Sequence, residues 1–230
     1  MINCLIIAAV LLFLPLRIGF NDEGFPLLDF YGNKTDFAGI DIDVAADAVG
    51  ALLLLVVLFI YTKRNPKFNS AAKLSVPVLV LSLLTTVQLS GYAVYNAFPK
   101  SYSWVFNPTV ISEFLFGLLE TILLICLLIL FGTLMDALVD EAVQRGDTEA
   151  VQAGYRGIDL YKKVCWIPLV VTVLSDIISR DSVSDSQMLN NRASVTLIVI
   201  RVLYYLSMLF VGGVIVSFLV KVRPEKKGGR

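Results

Sequence analysis

Long apolar runs separated by short polar connectors dominate this chain. They predict helices over about 2–18, 44–62, 74–98, 109–135, 164–179 and 194–220. A helix needs about 20 largely apolar residues to cross a bilayer, and most of these runs approach that length. The predicted fold class is therefore all-α: a polytopic bundle of six transmembrane helices within residues 1–221, followed by a basic tail at 222–230. The first run lacks a basic leader and a small-residue cleavage site, so it reads as a retained helix; a cleaved signal would leave five spans.

The connectors alternate in character. Residues 19–43 form a polar, acidic outer loop, and 63–67 (KRNPK) a basic stop with a helix-ending proline. Tyr102 and Trp104, before the fourth run, suit a membrane interface. Residues 136–163 predict a cytosolic helical connection. Its first helix should run to Arg145 and end at Gly146, with Asp147 or Thr148 capping a second. Pro77 is expected in the first turn of the third span, where its missing N–H costs nothing.

Composition supports the membrane reading. Hydrophobic residues make up 57% of the chain, against about 45–50% for soluble domains, and mean hydropathy is +0.78. The 19 basic and 19 acidic residues cancel, which leaves no basic field for nucleic acid. Placement of the charges orients the chain. Thirteen Lys and Arg follow spans two, four and six, whereas five lie on the opposite side. The positive-inside rule then puts both termini in the cytosol. The acceptor triplet Asn33-Lys34-Thr35 falls outside, so Asn33 is a glycosylation candidate. Plasma membrane or secretory-pathway membrane is the default location.

Polar residues within the spans are the candidate chemistry, because a charge at bilayer depth costs roughly 3 kcal/mol on insertion scales. Glu113 and Glu120, seven residues apart, return to one side of the fourth helix. With Gln88, Asp47, Asp176 and Arg201 they are expected in the outer half or at the midplane, over an almost dry inner half. Arg201 is the one basic residue inside any span, and Asp176, Glu113 or Glu120 would have to receive it. Such a layer can bind a small ligand or an ion, or it can simply tie helices together. Asp41, Asp43 and Asp47 lack the glycine and closing glutamate of a calcium loop and read as a solvated helix entry.

Several functions lose support here. Histidine is absent, and no nucleophile elbow, phosphate loop or metal-ligand spacing occurs. No enzyme activity, catalytic residue, metal or cofactor is expected. Cys165, beside Lys162 and Lys163, is a palmitoylation candidate, although an inert interfacial cysteine fits the position better. The function expected is a non-enzymatic receptor-like or accessory role, with 136–163 and the tail available to a cytosolic protein partner. The alternative is a small-solute or proton-coupled transporter using the intramembrane carboxylates, but no internal symmetry supports it.

Overall fold

A computed structural model describes residues 2–14, 17–20, 38–43, 47–63, 65–91, 108–181 and 190–223. In chain order these form α1 (Ile2–Phe13), β1 (Arg17–Phe20), β2 (Ala38–Asp43), α2 (Asp47–Thr62), a 3₁₀ turn (Pro66–Phe68), α3 (Asn69–Thr85), β3 (Val87–Gly91), α4 (Pro108–Gln144), α5 (Thr148–Val164), α6 (Ile167–Asp181) and α7 (Asn190–Lys221). The expected helical body is present. Among the described residues, Pro66–Thr85, Gly117–Gln144 and Val202–Lys221 are long and apolar enough to cross a membrane; Ile2–Phe13 and Asp47–Thr62 are apolar but shorter.

The helices close a ring. α1 packs on α2 and α7, α2 on α3, α3 on α4, α4 on α5, and α5 on α7. α6 continues beyond α5 and packs on α7 and, less extensively, on α4. At the centre the Phe13 ring meets Phe131 edge-on, with centroids 5.4 Å apart. Gly212 of α7 completes the junction, because a Cβ there would come within 2.7 Å of Phe13 Cβ. Gly50 plays the same part between α1 and α2, where a Cβ would meet Leu11 Cβ at 2.9 Å. Small residues let these backbones approach closely.

The corner between α2 and α3 is fixed locally. Asn65 accepts the Lys67 N–H at 3.1 Å, Pro66 follows it, and Tyr61 stacks on Phe68 at 4.8 Å. Lys67 then bridges to Asp140 of α4 at 2.7 Å.

The bundle is apolar outside as well as inside. Val49, Val56 and Phe59 of α2, Val80 and Leu83 of α3, and Leu206 and Phe210 of α7 are all largely exposed. A helix that is hydrophobic all round belongs in a large core or a membrane.

Several boundaries differ from the sequence expectation. α1 stops at Phe13 rather than near 18, and Arg17–Phe20 is a strand. The third helix begins at Asn69, which places Pro77 in its interior, and it ends at Thr85 rather than 98. Thr85 and Thr86 turn their hydroxyls back onto the carbonyls of Leu81 and Ser82, and β3 follows.

The three strands form an antiparallel sheet in the order β1-β2-β3, with Arg17 opposite Asp43 and Asp41 opposite Gln88. Asp41 and Asp43 therefore belong to a strand rather than to a helix entry. The reason is written in the residues. Ile40 and Ile42 alternate with Asp41 and Asp43, and Val87 and Leu89 with Gln88 and Ser90, which is the period of a strand.

Candidate functional site

The Phe13 junction gives a depth reference for the polar residues. Phe131 and Gly212 both meet it. α4 runs antiparallel to α5, because Gly154 meets Val139 and Tyr161 meets Leu128; α7 does too, because Gly154 meets Val222 and Gly157 meets Phe218. Glu120 and Arg201 each stand eleven residues before their contact at Phe13. At 1.5 Å per residue both lie about 16 Å outward of it. The backbone thus carries Glu120 and Arg201 to one layer. Asp176 is nine residues into α6, which packs on α7 and α4. Glu113 is two turns further out on α4.

Two of the remaining candidates sit elsewhere. Asp47 opens α2, three residues before Gly50, and so lies between the junction and the Glu120 layer. Gln88 is in β3 opposite Asp41 instead of in the third helix. Glu120 and Asp47 are half-buried, and neither is without a partner. The side chains of Glu113, Asp176, Arg201 and Gln88, and Asn33 altogether, fall outside the described residues.

The end of the bundle opposite Glu120 holds a feature that sequence reading missed. The connection 136–163 is docked along the bundle. α5 turns Ala150, Gly154, Ile158 and Tyr161 inward, spaced to share one helix face. A Cβ on Gly154 would meet Val139 Cγ2 at 2.5 Å, and one on Gly157 would meet Phe218 Cδ2 at 2.7 Å. Tyr161 donates its hydroxyl to the Leu128 carbonyl at 2.6 Å.

The turn into α5 forms as the sequence expects. Gly146 adopts φ 70°, and Asp147 caps the helix by accepting the Ala150 N–H at 3.0 Å. Arg145 donates to the Val222 carbonyl at 3.5 Å, which ties down the end of α7. The legible signal for docking was the small and apolar stripe within an otherwise polar segment.

Three further features bear on chemistry. Val143, Gly146, Thr148, Glu149, Gln152 and Tyr155 line a surface groove of about 630 Å³ at the α4–α5 corner. Cys165, the palmitoylation candidate, is buried and directs its thiol at the Lys162 carbonyl. Among the described residues, no three His, Cys, Asp or Glu side chains converge on a metal position. Compared with family models, curated proteins and solved structures, the chain matches none of them.

Proposed function

We propose that this is a multi-pass integral membrane protein with a non-enzymatic receptor-like or accessory role, and that its outer half holds a polar layer able to receive a small polar or ionic ligand. The observation that carries this reading is the common depth of Glu120 and Arg201 on two helices of the same ring. Two opposite charges at one depth in an apolar bundle can satisfy each other or a ligand between them. The chain crosses the bilayer six times with cytosolic termini. The charge asymmetry of the connectors supports this topology. The bilayer thins around the short helix α1, and the last turns of α5 extend α6.

The runner-up is a proton- or solute-coupled transporter, favoured by a half-buried Glu120 within the apolar part of α4. Reconstituted vesicles separate the two readings. A receptor-like protein shows no proton-linked flux, and Glu120→Gln and Arg201→Leu show a stability coupling above about 0.5 kcal/mol in a double-mutant cycle. Proton-linked flux that disappears in a well-folded Glu120→Gln protein would overturn the proposal in favour of transport. Strict additivity of the two substitutions would remove the shared layer.

A further inference from the structure

The elbow between α5 and α6 presents charge at an unexpected depth. Tyr161 reaches the carbonyl of Leu128, which lies eight residues outward of Asp136 and eight inward of Glu120. The neighbouring Lys162 and Lys163 therefore stand one to two turns outward of Asp136, the innermost carboxylate of the apolar part of α4. Both lysines are exposed. So are Leu160, Trp166 and Ile167 around them, with Trp166 55% accessible.

The charges here do not balance. Lys163 pairs with Asp159 at 2.6 Å, but Arg156, Lys162 and Lys163 face that single carboxylate on the outward half of α5. In a membrane this combination of a tryptophan, aliphatic neighbours and surplus cations is stable where lysine stems run through the acyl region and their ammonium groups reach lipid phosphate. A surplus of positive charge selects net-negative headgroups over zwitterionic ones.

We propose that the α5–α6 elbow, through Lys162, Lys163 and Trp166, is a seat for an anionic phospholipid of the cytosolic leaflet. The inference rests on the membrane reading above and names a specific partner for it. The bound lipid covers the polar outer stripe of α5 and holds this helix against α4 and α7.

The chain has two tryptophans, so Trp104→Phe leaves Trp166 as the sole indole reporter. This protein is placed in phosphatidylcholine vesicles containing a small, equal fraction of either phosphatidylserine or phosphatidylcholine with brominated chains. The serine lipid should quench Trp166 more strongly, and neutralising either lysine should weaken that preference about fivefold. Lys162→Gln leaves the Asp159–Lys163 pair intact, so loss of preference in that variant is not a fold defect. Equal quenching by the two lipids overturns the lipid seat and leaves the membrane reading standing. Quenching by aqueous iodide with none from either lipid overturns both.

Discussion

Tyr161 donates a hydrogen bond to a helix carbonyl in a place that water does not reach. A buried bond of this kind contributes about 1 kcal/mol net, so Tyr161→Phe should lower stability by about that amount near neutral pH. Chemical denaturation of the wild type and Tyr161→Phe near neutral pH checks this, and equal stabilities would mean that the hydroxyl is hydrated. Residues of this kind were only partly legible. Gly146 and Asp147 announce their turn because backbone conformation and capping are local. The partner of Tyr161 lies 33 residues away, and no local pattern specifies it.

At the scale of elements, hydropathy located the helices and misjudged where they end. A window long enough to detect a membrane helix averages across AGIDID and VQLSG, where apolar and polar residues alternate in register. Those segments became strands, and Gln88 and Asp41 moved to facing positions on a sheet. The docking of α5 was obscured for the opposite reason. Its outer face is polar enough to resemble a solvated connection, while its inner face uses glycines that score as neutral. The glycines therefore provide the test of the packing. Val139 is β-branched and stiff at χ1, so it cannot swing away from a Cβ placed 2.5 Å from its methyl. Gly154→Ala should destabilise the protein by about 1–3 kcal/mol through overpacking. Gly213, one residue from the Phe13 junction, has nothing within 4 Å of a Cβ. Gly213→Ala should be neutral, or stabilising by up to about 1 kcal/mol through helix propensity. Equal melting temperatures for the two variants would contradict the placement of α5.

For the whole molecule, element length and membrane thickness have to be reconciled. At 1.5 Å per residue α1, α2 and α6 measure about 18, 24 and 22 Å, against a hydrocarbon core of about 30 Å. None of them crosses alone, yet α1 delivers Leu5, Ala8, Leu12 and Phe13 to the core, and without it Phe131 and Gly212 lose their common partner. Six passes follow if the bilayer thins around α1 and α2 and the end of α5 completes the fifth. The α4–α5 corner then lies in the cytosol and Asn33 outside. Thr148 is exposed at that corner, which makes it a suitable reporter. In a cysteine-free background, a maleimide that cannot cross membranes should label Thr148→Cys only after permeabilisation. A tag placed before Met1 should remain on the protein and respond to antibody under the same condition. Asn33→Gln should remove a glycosidase-sensitive shift from the intact chain. Thr148→Cys labelled in intact cells would invert the bundle and remove the positive-inside argument. A tag lost during maturation would instead leave five passes, with the Phe131–Gly212 face open to another partner.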